Sequence, residues 1–362
     1  MGIVLRDLRR NPLYWLLIFV PIVLVAEQVV PEKHTLIFLL SVAAIVPLAG
    51  LLSRATESVA EKTGDMVGGL LNATLGNLTE LVLTIAALRE GMMDLVKAAL
   101  AGAIVTNTLF MLGGSFLLGG LRHRVQEFNP VTARMQSGML LLATIALLVP
   151  SALSKADGTA VPRFLAQLSI AVSVVLVVTY ALSLLFSLKT HREYFASAEG
   201  EHGEEEQPWP FPVAIVALGV VTVLVALVAE VFISSVQTAA LDLGMTPAFV
   251  GFIVVSLVGG AAEMASAFSA ARKNRLDMSV GIAMGSSAQI ALFVAPVLVF
   301  LSYFVGPAPM DLVFGGGAVL MVLLSTITVW MITMGGRGAW YSGVQLIAVY
   351  LVFAVTLYLL PG

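Results

Sequence analysis

The chain contains no cysteine. Disulfides, thiolate metal sites and cysteine nucleophiles are therefore excluded. Charge is scarce as well: 11% of the 362 residues are Asp, Glu, Lys or Arg, roughly half the ~25% of a soluble domain. The four histidines, His34, His123, His191 and His202, all fall in expected loops. No HExxH and no GxSxG occurs either, which argues against a membrane-embedded hydrolase and against an enzyme in general. Net charge is −3, and nothing in the charge pattern points to nucleic acid. What remains is apolar surface: 59% of residues are hydrophobic and the mean hydropathy is +0.99. The apolar runs last about 20 residues, the length of a membrane helix, whereas barrel strands would show ~10-residue alternating segments. The expected fold class is an all-α integral membrane protein, with the lipid bilayer as its first partner.

Hydropathy and breakers predict eleven spans, starting near Leu13, Leu36, Val67, Leu95, Thr132, Phe164, Pro212, Pro247, Met278, Leu312 and Ala339. The basic head "MGIVLRDLRR" precedes an apolar run with no small-residue cleavage site, so the first span reads as retained. With the N-terminus in the cytoplasm, only Lys33, Arg89, Lys97, Lys155 and Arg163 of the 19 Lys and Arg residues fall outside. The positive-inside rule thus predicts a cytoplasmic N-terminus and an external C-terminus.

The longest polar stretch, from Lys189 to Pro210, divides the chain after the sixth span. Its acidic cluster, Glu199, Glu201, Glu204, Glu205 and Glu206, reads first as a solvated linker, with a cation-sensing segment as the alternative. The two sides of this linker resemble each other. Sliding the sequence along itself until Glu80 falls on Glu263 also lays Val67-Gly68 on Val250-Gly251 and Gly76 on Gly259. Without a gap, Arg89 then falls on Arg272, Asp94 on Asp277 and Gly102 on Gly285. Five spans per half force the second copy to enter from the other side, so the repeat is inverted. The expected organisation is an N-terminal helix (1–34), a first five-helix repeat (35–188), an acidic cytosolic linker (189–211) and a second five-helix repeat (212–362). Many secondary transporters are built this way, with the site at the repeat interface near the midplane.

Glu80 lies in the middle of "LLNATLGNLTELVLTIAALREG", where a carboxylate costs at least ~2.5 kcal/mol to insert. On a continuous helix Asn72, Gly76, Glu80 and Thr84 share one stripe, with Asn77 beside it. Ser256, Gly259, Gly260, Glu263 and Ser266 form the matching face of the second copy. Glycines at Gly76 and Gly259 let another backbone or an ion approach closely. Thr106 and Asn107 in one half, and Ser286, Ser287 and Gln289 in the other, add neutral oxygens at corresponding depth. Glu230, a third membrane carboxylate, is a candidate outer ligand or proton relay. Asp94 and Asp277 read as helix N-caps. An inventory of carboxylate, amide and hydroxyl oxygen suits a hard cation such as Ca²⁺ rather than Zn²⁺ or copper. Two carboxylates converging in a low-dielectric site need a counter-charge, which a divalent cation or protons can supply by turns.

"GGLLNATLGNLTELVLTIAAL" and "GGAAEMASAFSAARKNRLDMSVGIAMGSSAQIALFVAP" resemble the two signature repeats of the Ca²⁺/H⁺ antiporter family, within the Ca²⁺/cation antiporter superfamily. The likeness extends to "SRATESVAEKTG", to "GGLRHRVQEFN" and to the acidic linker, and so covers nearly the whole chain. It implies one extra first helix followed by ten core helices in two inverted repeats, in the cell (inner) membrane. It further implies that Glu80 and Glu263 carry Ca²⁺ and H⁺ as transported ions, helped by Asn77 and the Ser286, Ser287 and Gln289 region. No cofactor is expected, a homo-oligomer is compatible with the pattern, and the second and seventh spans would slide to alternate access. A Na⁺- or K⁺-coupled exchanger is the alternative within the class, and a passive cation channel a third reading. One departure stands out. The family's second repeat usually reads Gly-Asn-Ala-Ala-Glu-His, whereas here Gly260 replaces the amide and Met264 the imidazole.

Overall fold

The computed structural model describes residues 11–156, 162–191 and 208–360. The acidic cluster from Glu199 to Glu206 lies outside the described residues. Eleven spans follow one another: α1 (Pro12–Val29), α2 (His34–Lys62), α3 (Val67–Leu75 with Leu78–Arg89), α4 (Met93–His123), α5 (Pro130–Ser154), α6 (Arg163–Thr190), α7 (Phe211–Asp242), α8 (Pro247–Gly259 with Ala261–Arg272), α9 (Leu276–Val305), α10 (Gly316–Thr333) and α11 (Trp340–Leu359). Two of them are not straight: α3 bends by 41° and α8 by 59° at their breaks. The stripe from Asn72 to Thr84 therefore does not run along one continuous helix, because Gly76 and Asn77 interrupt it. Lacking a large side chain, glycine weakens the helix where the chain must turn.

The repeat is visible in its turns as well as its breaks. Gly91 (φ 73°) ends α3, and its counterpart Asn274 (φ 61°) ends α8. Both hold the left-handed conformation that glycine and asparagine tolerate best after a helix. Asp94 and Asp277 sit in the first turns of α4 and α9, but the caps are Met92 and Arg275, neither with a side-chain bond. Asp277 instead accepts the backbone N–H of Asn129 at 2.9 Å.

Contacts between loops sort the span ends into two membrane faces. On one face β1 (Val125–Glu127), between α4 and α5, pairs antiparallel with β2 (Arg337–Ala339), between α10 and α11. His123 bonds the Arg272 carbonyl at 2.9 Å, and the buried Trp209 donates its backbone N–H to the Ser58 hydroxyl at 3.1 Å. On the other face Thr35 donates to Asp242 at 2.7 Å, Lys97 pairs with Asp311, and Thr246 donates to the Leu357 carbonyl at 2.8 Å. Every one of these pairs joins span ends that eleven crossings put on the same side.

The start of the tenth span departs from expectation. Helix begins at Gly316, not Leu312. The preceding segment is buried and non-helical because its N–H groups are taken by hydroxyls: Met310 bonds Ser302, Leu312 bonds Ser169 and Phe314 bonds Ser151, at 2.8 to 3.0 Å. Inside the bundle, α2 and α7 pack along each other through small and aromatic residues, with Phe38 stacked on Phe232 at 5.4 Å. Ala44 and Ala55 of α2 and Ala229 and Ala239 of α7 are buried, small residues of the kind that let membrane helices pack closely.

Candidate functional site

The breaks in α3 and α8 meet at the repeat interface. Asn77 and Gly260 stand at the starts of the second half-helices, and Glu80 and Glu263 occupy the first turns that follow. A helix start carries partial positive charge from its unpaired N–H groups, which favours a carboxylate there. The first half-helices end at the same level, so their last carbonyls bring partial negative charge that suits a cation. One junction thus receives two helix starts and two helix ends, an arrangement that resembles the broken-helix ion sites of many transporters.

Close approach is set by the glycines. A Cβ at Gly259 would stand 3.1 Å from the Glu80 Cγ, and one at Gly260 3.7 Å from the Glu80 Oε1 and 3.4 Å from the Asn107 Oδ1. On the opposite side, Gly76 leaves room for the Gln289 amide, whose Oε1 would lie 3.4 Å from a Cβ at that position. Ser286 ties the halves together: its hydroxyl donates to Asn77 Oδ1 at 2.6 Å and accepts from Asn107 Nδ2 at 3.0 Å. That hydroxyl and the Glu80 carboxylate both lie within electrostatic reach of Glu263. Among the described residues no histidine, cysteine or third acid joins the pair as a metal cluster. Three buried polar atoms at this junction, Asn77 Nδ2, Gln289 Nε2 and Glu263 Oε2, have no hydrogen-bond partner among the described residues. Buried polar groups are seldom left so, and their concentration makes this junction the candidate site for a polar ligand.

A cavity of about 800 Å³ reaches this junction from the face that carries β1 and β2. Glu263, Gln289, Ser286 and Gly76 form its floor, Asn72 and Ser266 its walls, and Ser53 and Glu57 its upper wall. Glu80 is 8% exposed and does not line it. The two carboxylates are therefore chemically paired but differ in access.

The structure brings together Glu80, Glu263, Gly76, Asn77, Asn107, Gly259, Ser286 and Gln289. It does not bring in Thr106, Ser287 or Glu230. The Thr106 hydroxyl meets the Tyr350 hydroxyl of α11 at 3.3 Å, and Ser287 donates back to the Ala283 carbonyl at 2.8 Å. Glu230 pairs with Arg89 at 2.5 Å, with both side chains more than half exposed. Met264, which follows Glu263, is buried in the apolar core and does not line the cavity. Gln136 was not anticipated. Its Nε2 would lie 3.4 Å from a Cβ at Gly285, its buried Oε1 has no hydrogen-bond partner among the described residues, and it lines the cavity. The signal was present, as a lone amide inside the apolar run of α5.

The two halves are not in the same state. At Gly102 a Cβ would stand 2.0 Å from the Phe252 carbonyl and 2.4 Å from the Ser256 hydroxyl, so α4 and α8 touch backbone to backbone. At the equivalent Gly285, only the end of the Gln136 side chain comes within 4 Å. The residues that correspond to Phe252 and Ser256 are Gly69 and Ala73, and both line the cavity together with Gly285. One member of a pair of equivalent contacts is closed, and the other stands open.

Comparison with known proteins agrees with this architecture. The Ca²⁺/H⁺ antiporter of Synechocystis sp. is 38% identical over 366 residues, covering 96% of each chain. The Ca²⁺/H⁺ antiporter ChaA of Bacillus subtilis is 39% identical over 319 residues, covering 87% of this chain and 90% of that one. The solved structure of native YfkE superposes with a TM-score of 0.82 at 34% identity, over 96% of this chain and all of that one. The sodium/calcium exchanger protein family matches residues 33–189 and 213–359, nearly every span after the first, and the chain belongs to that family.

Proposed function

We propose that the protein is a secondary active transporter that exchanges Ca²⁺ for H⁺ across a cell membrane, by alternating access to Glu80 and Glu263. The observation that carries this reading is the pair of acidic half-helix starts meeting at the floor of a one-sided cavity. Two carboxylates with neutral oxygens from Asn77, Asn107, Ser286 and Gln289 suit a divalent hard cation. When the cation leaves, protons restore neutrality on the same oxygens, and competition for them couples the two fluxes. The antiporter names of the curated relatives support the choice of Ca²⁺ and H⁺.

The orientation follows from charge. The face with the cavity mouth bears most of the basic residues, so it is the cytoplasmic one. The state described here is then open to the cytoplasm, with the N-terminus on that side and the C-terminus outside. The contrast between Gly102 and Gly285 supports a cycle in which the open and closed contacts exchange. The test is Ca²⁺ uptake by proteoliposomes with and without an imposed pH gradient. Uptake should follow the pH gradient and ignore Na⁺ and K⁺ gradients. Uptake driven by Na⁺ or K⁺ would establish the alternative coupling, and flux indifferent to every counter-ion gradient would indicate a channel.

A further inference from the structure

A second cavity, of about 450 Å³, opens on the same membrane face as the first but away from it, between the ends of α4 and α8. Its rim is cationic: Arg122 comes from α4, and Arg272 and Lys273 end α8. None of the three has a carboxylate partner among the described residues. The repeat makes this unusual, because the equivalent of Arg272 is Arg89, and Arg89 is paired with Glu230. Below the rim the wall is apolar. Leu118 lies one helical turn beneath Arg122, and Phe268 one turn beneath Arg272. Phe268 is a firm wall, held edge-on against Phe110 with ring centres 6.4 Å apart and resting on the Cβ-free surface of Gly114.

We propose that this cavity binds the phosphate of an anionic phospholipid headgroup. The shared chemistry is a phosphate oxyanion, which Arg122 and Arg272 would hold from two helices, since guanidinium groups match its geometry. The Ser269 hydroxyl, on the same wall, can donate to a headgroup oxygen. A free phosphate would need only the rim. The cations sit one turn above Leu118 and Phe268 at the end of two membrane spans, and this layering fits a headgroup over its acyl chains. The occupied face of α8 is also the back of the half-helix that carries Glu263, so the lipid would hold that half-helix against α4.

The experiment is thermal unfolding of the purified full-length protein in detergent, titrated with short-chain phosphatidylglycerol, phosphatidylcholine or inorganic phosphate. Wild type should show a saturable rise in unfolding temperature with phosphatidylglycerol alone. Arg122→Gln/Arg272→Gln should weaken the half-saturating concentration at least tenfold. A control with the same charge removed elsewhere, Arg134→Gln/Lys189→Gln, should respond as wild type does. Equal loss in both variants would reduce the effect to diffuse surface charge and overturn the site. An equal response to inorganic phosphate would overturn the lipid assignment. If the double variant does not fold, Arg122→Lys and Arg272→Lys singly serve the same purpose, because each keeps the charge and loses the two-pronged hydrogen bonding.

Discussion

At the scale of the residue, the central pair has one partner reachable from the cavity and one behind it. Glu80→Gln and Glu263→Gln should each reduce Ca²⁺ exchange to background, because the amide keeps shape and hydrogen bonding but cannot balance a divalent charge. Stability should change by no more than ~1 kcal/mol, so expression and unfolding temperature separate loss of function from loss of fold. Wild-type transport by either variant would remove that residue from the ion path. Gly260 offers a gain instead. Its backbone (φ −82°, ψ 8°) is not the left-handed conformation reserved for glycine. A Cβ there would stand 3.3 Å from the Ser256 carbonyl, 3.4 Å from Asn107 Oδ1 and 3.7 Å from Glu80 Oε1, a fit that needs a shift of a few tenths of an ångström. Gly260→Asn should add one amide oxygen to the cluster and lower the half-saturating Ca²⁺ concentration roughly fivefold, equivalent to ~1 kcal/mol. An unchanged or higher value would mean that the added side chain only crowds Asn107. Met264 carries no such expectation, since it packs in the core.

At the scale of the element, the decisive features are the interruptions. Glu230 shows what happens to a membrane carboxylate on an unbroken helix: α7 passes the site intact, and Glu230 finds Arg89 instead of an ion. Glu230→Gln should leave the Ca²⁺ dependence of exchange within about twofold of wild type and cost less than ~1 kcal/mol, as exposed ion pairs do. A larger shift in half-saturation would return Glu230 to the transport path. The spans, the repeat and the acidic pair were legible because midplane charge and matched glycines stand out against an apolar background. The directions of the side chains were less so. Thr106 and Ser287 lie in the right segments, but the Thr106 hydroxyl turns to Tyr350 of α11 and the Ser287 hydroxyl turns back to the Ala283 carbonyl of its own helix. Hydropathy reports depth, and it is nearly blind to which way a small polar residue turns. The start of α10 was misplaced for a related reason. Leu312 and Phe314 are buried as in a span, but their N–H groups are satisfied by Ser169 and Ser151 rather than by a helix.

At the scale of the whole molecule, the proposed cycle draws its second state from the inverted repeat. If the halves exchange conformations, the tight contact of Gly102 with Phe252 and Ser256 must part, and Gly285 must close onto Gly69 and Ala73 with the same backbone proximity. On that cycle Gly285 is required to be small only when its own half closes. Gly285→Val should fold normally, since its Cβ meets nothing but the end of Gln136, and Ca²⁺ should still bind from the open side within about threefold of wild type. Turnover should fall to background because the cavity cannot close. The absence of cysteine makes the closure itself measurable. In a Ser183→Cys background, a thiol reagent reaches the cavity wall, and labelling should slow under ion gradients that drive closure. With Gly285→Val added, labelling should stay fast under every gradient. Gly102→Val, with only 2.0 Å to the Phe252 carbonyl, should instead disrupt the present packing and lower the unfolding temperature. Near-normal exchange by Gly285→Val would mean that the two contacts do not trade places, and that access alternates by some motion other than exchange between the halves.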